Sequence, residues 1–186
     1  LGMVGPEIDA AKIARERLEK EAKLVAGVTA EMKTLENKSQ SPNGITAQDI
    51  EPVREQLAAA VSNGLPKTGK AHERTERFIA LMEKQLVAQN AFLEFARKYD
   101  VKNYQYPSAN EISAMDNDAL SEQCSTLEAI KKEIDAALDI AAELAMIVSG
   151  IEKAREIRRL VDSILRTMKQ SKNERDDYSD EEDDED

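Results

Sequence analysis

The sequence has little of what catalytic and metal-binding sites are usually built from. It contains no tryptophan, one histidine and one cysteine, and aromatic residues make up only 4% of its 186 positions. The lone histidine, His72, cannot form a multi-histidine metal site, and the lone cysteine, Cys124, cannot form an internal disulfide. Cys124 falls on an apolar helical stripe, where a small buried hydrophobe is expected. We therefore predict that the chain is not an enzyme and holds no cofactor or metal.

Long apolar segments are also missing. The longest weakly apolar stretch, residues 134–151, is interrupted by Asp135, Asp139 and Glu143, so it does not predict a bilayer-spanning helix. The first residues do not combine a basic start with an apolar run, as a signal peptide would. Together with the single cysteine, these features predict an intracellular protein, cytoplasmic or nuclear, without membrane contact.

What the sequence has in abundance is charge and helix-forming residues. Charged residues make up 34% of it, and Ala, Glu, Lys, Leu and Arg dominate the middle of the chain, a composition typical of helices that meet along apolar seams. No repeat of fixed period is visible, which argues against a solenoid. We predict an all-α fold: an elongated antiparallel helical bundle or coiled coil with a long C-terminal helix and a disordered acidic tail.

The first predicted helix covers residues 6–37 and carries a coiled-coil-like stripe about three heptads long. The stripe consists of Ala11, Ala14, Leu18, Val25, Val28, Met32 and Leu35. Residues 38–44 are rich in Ser, Pro, Asn and Gly, so they predict a loop after this helix.

Two further helices are predicted before residue 100. Thr46 or Asp49 could cap the first of them; we favour Asp49, because Pro52 then falls in the first turn, where proline removes no helical hydrogen bond. The end of this helix is expected at Asn63-Gly64, since glycine accepts the left-handed conformation that stops a helix. The next helix covers about residues 70–99.

The fourth helical region is the longest. Ser108 offers a capping-box pattern for the short turn before it. The region itself begins near Asp116 or Asp118, and apolar residues recur at helical spacing from Leu120 to Met168. Because the spacing changes phase near Ser149-Gly150, we expect a kink or a break there. Either the helix breaks and folds back to complete a compact antiparallel bundle, or it projects and buries its stripe against another chain. We favour the second arrangement.

The formal charge of −11 is concentrated at one end of the chain. Residues 174–186 hold ten acidic residues and one basic residue, Arg175, so they carry −9, whereas the preceding 173 residues carry −2. Like charges at this density disfavour a packed structure and favour a basic partner. We predict a helical domain over residues 1–172 and a disordered acidic tail over residues 173–186.

One segment comes close to a phosphate-binding loop. Residues 64–71 read Gly-Leu-Pro-Lys-Thr-Gly-Lys-Ala, with Ala71 where the loop requires a magnesium-binding Ser or Thr. That loop must also follow a β-strand, whereas an Ala-rich helix is predicted here. Residues 65–69 resemble a sortase recognition motif, but the apolar span and basic end that a sorting signal requires do not follow them. We interpret the segment as an interhelical turn.

Two clusters in the body of the chain are candidate partner-binding groups. They are Tyr99, Tyr104 and Tyr106, around one predicted loop, and Arg155, Arg158 and Arg159, in the last helical stretch. The tyrosines could contact a partner or close the end of the bundle. The arginines suit an acidic partner, unless the protein's own carboxylates neutralise them. A nearly neutral body without an aromatic-lined basic patch argues against nucleic-acid binding.

The acidic tail is the third candidate. Ser179 is followed by Asp180, Glu181, Glu182 and Asp183. This pattern looks like an acidophilic kinase site of the casein kinase 2 type, and phosphorylation would add about −1.5 to −2 charges. Histone chaperones and chromatin-complex subunits have similar acidic ends, and this tail resembles them in composition. The alternative is a tail that only aids solubility.

These observations favour a protein-binding role. The leading hypothesis is a non-enzymatic structural or scaffolding subunit that binds other proteins through helical seams, as a homo- or hetero-oligomer. One alternative is a histone-chaperone-like module that binds basic proteins through its acidic tail. A second is a viral or phage assembly protein, whose helical subunits would stack.

Overall fold

The structure, a computed structural model, describes residues 5–144 and 148–183, the last five of these by their backbone alone. Its helices are α1 (Gly5–Ser39), α2 (Ala47–Ser62), α3 (Lys70–Tyr99), α4 (Ala109–Ala114), α5 (Asn117–Leu144) and α6 (Ile151–Asp183). No strand occurs in the described ranges. The predicted all-α class is confirmed.

The chain divides into two compact units, Leu1–Leu86 and Val87–Asp186, and the boundary falls inside α3. Each unit is described by itself below. The predicted division into residues 1–172 and a tail stays a prediction.

In the first unit, α1 and α2 pack against each other. Val28 and Leu35 of α1 and Val53 of α2 are each at most 3% exposed, so the second half of the predicted α1 stripe is covered. The buried Gln85 donates a hydrogen bond from Nε2 to the backbone oxygen of Ser39 at 3.1 Å. This bond closes the C-terminus of α1, where helical carbonyl groups have no partner within the helix.

The start of α2 differs from the prediction, because Thr46 and not Asp49 is the N-cap residue. The carboxylate of Asp49, in the third helical position, accepts hydrogen bonds from the Thr46 N–H at 2.7 Å and the Thr46 hydroxyl at 3.0 Å. It also pairs with Lys38 Nζ at 2.5 Å. Pro52 therefore lies inside α2, and the contacts of Asp49 offset the helical hydrogen bond that proline cannot donate.

The Asp49 carboxylate is expected to make stability depend on pH. The hydrogen bond from Lys38, followed by the bonds from Thr46, holds the pKa of Asp49 below its ordinary value of 3.8 despite partial burial. A lowered folded-state pKa contributes stability that is present above the unfolded value and is lost as the pH falls through the folded one. Asp49→Asn should therefore lower the free energy of unfolding by about 0.5–2 kcal/mol at pH 7, and less at pH 3.

Urea titrations at pH 7 and pH 3 would measure this difference between the wild type and the variant. Glu51→Gln is the matched control, because Glu51 lies on the same helix with its side chain 58% exposed. Exposed pairs contribute little, so this variant should change the free energy of unfolding by less than about 0.5 kcal/mol. A deficit of Asp49→Asn that is equally large at both pH values would contradict the assignment.

In the second unit, local caps set the starts of α4 and α5. Ser108 Oγ accepts the N–H of Glu111 at 3.2 Å, which confirms the predicted cap. Asp116 Oδ1 accepts the N–H of Ala119 at 2.7 Å, so α5 begins at one of the two positions that the sequence indicated.

Helices α5 and α6 form an antiparallel pair. Their facing apolar side chains are buried; Leu127, Ile134 and Val161 have no exposed surface. Three ion pairs join the two helices, and as the residue numbers rise along α5, those of the partners fall along α6. They join Glu128 to Lys169 at 3.5 Å, Lys131 to Asp162 at 2.9 Å, and Asp135 to Arg158 at 2.5 Å.

The long fourth helix of the prediction is therefore two helices. Helix α5 ends at Leu144 and α6 begins at Ile151, so the break expected near Ser149-Gly150 is confirmed. Gly150 has φ = 87°, a conformation in which a side chain is strained. The favoured alternative, a projecting uninterrupted helix, is wrong, because α6 of the same chain packs against the apolar stripe of α5.

Two smaller predictions have different outcomes. The disordered tail over residues 173–186 is not confirmed, since α6 remains helical through Asp183; residues 184–186 lie outside the described part. Cys124 is half-buried rather than buried in the core. It lies 4.0 Å from Glu128 on the same helix, at the edge of the α5 stripe.

Candidate protein-binding surfaces

The first part of α1 is the most exposed helical surface in the first unit. Every side chain from residue 5 to residue 20 is exposed, and three of them are large and apolar: Ile8 at 50%, Ile13 at 58% and Leu18 at 68%. We call residues 5–20 the exposed α1 segment. It includes the first half of the predicted coiled-coil stripe, which none of the described residues covers.

The exposure has an energetic consequence. Sixteen residues make about four turns, and an isolated helix of this length is marginal in water. Tertiary packing supplies most of the stability of helices in proteins, and α1 receives it only from about Val28 onward. The exposed α1 segment therefore has the chemistry of a surface that a second helix could cover.

The three predicted tyrosines come together at the end of α3. The ring centroids of Tyr99 and Tyr104 are 5.7 Å apart, and those of Tyr104 and Tyr106 are 4.7 Å apart. The Tyr106 hydroxyl donates a hydrogen bond to the backbone oxygen of Tyr99 at 2.5 Å. Asp100, next to this cluster, pairs with Lys153 of α6 at 3.2 Å. All three rings are half-buried.

The electrostatics fit a packing role for these rings. Burial, followed by the neighbouring Tyr104 and Tyr99, raises the pKa of Tyr106 to about 12. The raised pKa keeps the hydroxyl protonated, as its hydrogen bond to the Tyr99 carbonyl requires. The hydrogen bond from Lys153 lowers the pKa of Asp100. The cluster closes the C-terminal end of α3, and its contact with a partner stays a prediction.

The three predicted arginines are exposed, and two of them have acidic partners nearby. Arg155 pairs with Glu152 at 2.7 Å, and Arg158 pairs with Asp135 at 2.5 Å. Arg159 is exposed on the same helix. The structure therefore places acidic side chains beside two of the three arginines, which reduces the field available to an acidic partner.

The acidic tail is described only in part. Glu174, Asp176 and Asp177 are exposed, and Tyr178 is 72% exposed. Ser179 and the four acidic residues that follow it lie within α6, but their side chains fall outside the described part. The prediction of a partner-binding site there stays open.

A groove between α2 and α3 was not predicted from the sequence. This open groove has a volume of about 550 Å³, with Leu57, Val61 and Ile79 among its apolar lining residues. Arg54 and Glu83, which form an ion pair, also line it. The apolar face of α2 is visible in the sequence, but its distance from α3 is set by packing and could not be inferred.

Several chemical alternatives can be compared with the fold. The segment that resembles a phosphate-binding loop follows α2 and leads directly into α3 at Lys70, as the turn interpretation predicts. Within the described residues, no group of three or more His, Cys, Asp or Glu side chains is placed to hold a metal ion. None of the helices in the described part is long and apolar enough to cross a membrane.

Comparison with known proteins adds no further assignment. No protein-family model matches the chain, and neither the curated proteins nor the solved structures contain a significant match to it. The surfaces described above are therefore the basis for any functional argument.

Proposed function

We propose that this chain is a non-enzymatic structural subunit that binds other proteins through helical surfaces in a larger assembly. The observation that carries the proposal is the exposed α1 segment, which leaves Ile8, Ile13 and Leu18 in solvent. Covering these side chains would remove apolar surface from water, which is the main favourable contribution to most protein association. The expected partner is a protein that presents an apolar helical stripe of its own.

Replacing all three apolar side chains of the segment by glutamine should abolish partner recovery. Glutamine has good helix propensity, so the variant I8Q/I13Q/L18Q keeps the helix and removes only the apolar contacts. Burial of one such side chain is worth about 1.5–3 kcal/mol, so affinity should fall by at least about a hundredfold. Pull-down from a native lysate with mass-spectrometric readout, and light scattering of the purified chain, would detect loss of a foreign partner and of self-association respectively.

The matched control is V87Q/L93Q/V101Q, which also replaces three exposed apolar side chains. Val87, Leu93 and Val101 are 61%, 51% and 66% exposed, but they lie on α3 and the loop after it. This variant should recover the same partners as the wild type. If both variants bind equally well, or if the wild type has no partner and is a dilution-stable monomer, the proposal fails.

A second function, binding of basic proteins through the acidic tail, is favoured by one observation. Arg155 and Arg158 each have an acidic partner outside the tail, Glu152 and Asp135 respectively. Residues 174–186 carry a charge of −9, and a basic segment of another protein would relieve the repulsion among these like charges. Charge at this density attracts basic segments at distances up to about a Debye length.

Neutralising four consecutive acidic residues of the tail would test this second function. The variant D180N/E181Q/E182Q/D183N keeps Arg175 and removes four charges. Its affinity for a lysine-rich protein such as a histone should fall, and the wild-type affinity should fall steeply with salt. Equal binding by both chains at all salt concentrations would exclude residues 180–183 as the binding site, without bearing on the exposed α1 segment.

A further inference from the structure

Arg175 makes three hydrogen bonds that join the end of α6 to two other helices of the second unit. Its Nη1 donates to Asn117 Oδ1 at 3.0 Å, and its Nη2 donates to the backbone oxygens of Ile112 at 3.2 Å and Ser113 at 3.3 Å. It is the single basic residue among residues 174–186. The side chain is half-buried.

These contacts occupy a position where a cation is stabilising. Ile112 and Ser113 lie in the last turn of α4 (Ala109–Ala114), and the carbonyl groups there form the negative end of the helix. Asn117 is the first residue of α5. Arg175 therefore holds the end of α4 and the start of α5 against α6, and α4 and α6 are in contact.

Ser179 is four residues after Arg175 in the same helix. Positions four residues apart lie on the same face of an α-helix, one turn from each other. The acidic residues after Ser179 form the pattern of an acidophilic kinase site, and the preceding residue, Tyr178, is 72% exposed. The backbone of α6 therefore places position 179 one helical turn after the residue that joins three helices.

We propose that Ser179 is a phosphorylation site and that its phosphate releases Arg175 from α4 and α5. In the reaction, Ser179 Oγ attacks the γ-phosphorus of ATP bound to the kinase, and a new P–O bond forms. The bond between the γ-phosphorus and the bridging oxygen breaks, ADP leaves, and the hydroxyl proton passes to the catalytic base of the kinase. The proposal does not depend on which partner the exposed α1 segment binds.

Two physical effects act in the same direction. The phosphate adds about −1.5 to −2 charges one turn after Arg175, so it competes with neutral carbonyl oxygens for the guanidinium group. It also adds negative charge near the C-terminus of α6, among Asp176, Asp177 and other acidic residues, where like charges and the helix dipole both disfavour the helical conformation. Each effect weakens the hold of Arg175 on Ile112, Ser113 and Asn117.

Hydrogen exchange on the full chain tests the proposal. The protein is treated with an acidophilic kinase of the casein kinase 2 type and ATP, and mass spectrometry locates the phosphate. The amides of Ile112, Met115 and Leu120, which donate to backbone oxygens at 2.9, 3.2 and 2.9 Å, should then exchange at least about threefold faster. Ser179→Ala treated in the same way should exchange like the untreated wild type.

Arg175→Gln distinguishes release of this arginine from a general effect of charge. In that variant the same amides should already exchange fast, and phosphorylation should add no further acceleration. The proposal is overturned if Ser179 is not modified, if the phosphorylated wild type exchanges at the untreated rate, or if phosphorylation accelerates exchange equally in Arg175→Gln.

Discussion

Replacing Ile134 with alanine is expected to lower the free energy of unfolding by about 2–5 kcal/mol. Ile134 lies in the middle of α5 with no exposed surface, and α5 packs against α6. The substitution loses the favourable free energy of transferring the deleted carbon atoms out of water. It also leaves a cavity that the antiparallel pair cannot fully close. Denaturant titration followed by circular dichroism would measure the loss, with hydrogen exchange identifying the transition that belongs to α5 and α6.

Ile140→Ala is the matched control, since it makes the same chemical change in the same helix. Ile140 is 39% exposed, so its truncation should cost less than about 1 kcal/mol. If both variants lost the same stability, the seam between α5 and α6 would not be the core of this unit. The projecting arrangement of the C-terminal helices would then have to be reconsidered.

Replacing Gly150, in the connection before α6, with alanine should lower the free energy of unfolding substantially. Gly150 has φ = 87°, which costs a residue with a side chain about 1–3 kcal/mol. In addition, a β-carbon added there would lie 3.0 Å from the Phe92 β-carbon. Phe92 is fully buried and its β-carbon is fixed to α3, so overpacking should add about 1–3 kcal/mol.

Gly64→Ala separates the two costs. Gly64 also has positive φ, at 109°, but an added β-carbon would meet nothing within 4 Å. It should therefore show only the backbone cost, and the difference between the two variants in thermal or denaturant unfolding measures the close approach of Gly150 to Phe92. Equal destabilisation would mean that the connection before α6 moves away from α3 at little cost.

Much of the secondary structure could be predicted because its signals are local. The left-handed glycine after α2, the Ser108 cap and the Asp116 cap each act within about four residues. The phase change near Gly150 is likewise a property of neighbouring turns. Asp49 shows the limit of local reasoning: its carboxylate is drawn into a contact with Lys38, eleven positions earlier, and the helix starts three residues before the favoured cap.

The candidate site could be predicted only in outline. The tyrosines were grouped correctly because they are close in sequence, and the structure adds the hydrogen bond from Tyr106 that makes them a cap on α3. The basic stretch of α6 was visible, but the pairing of Arg158 with Asp135 depends on the return of α6 along α5. The role of Arg175 was missed, because its partners lie about sixty positions away.

By itself, the sequence determined that this protein is helical and where most of its helices begin and end. It also located the break in the long C-terminal helical region, between α5 and α6. These properties follow from propensity, capping and periodicity, which are energies of residues within one or two turns. Only the tertiary structure decided which apolar stripes are covered: α5 by α6, the second half of α1 by α2, and the exposed α1 segment by nothing in the described part of the chain. An amphipathic sequence indicates that one face of the helix is buried. The burial free energy is nearly the same for any complementary apolar surface, so long-range packing decides which surface covers that face.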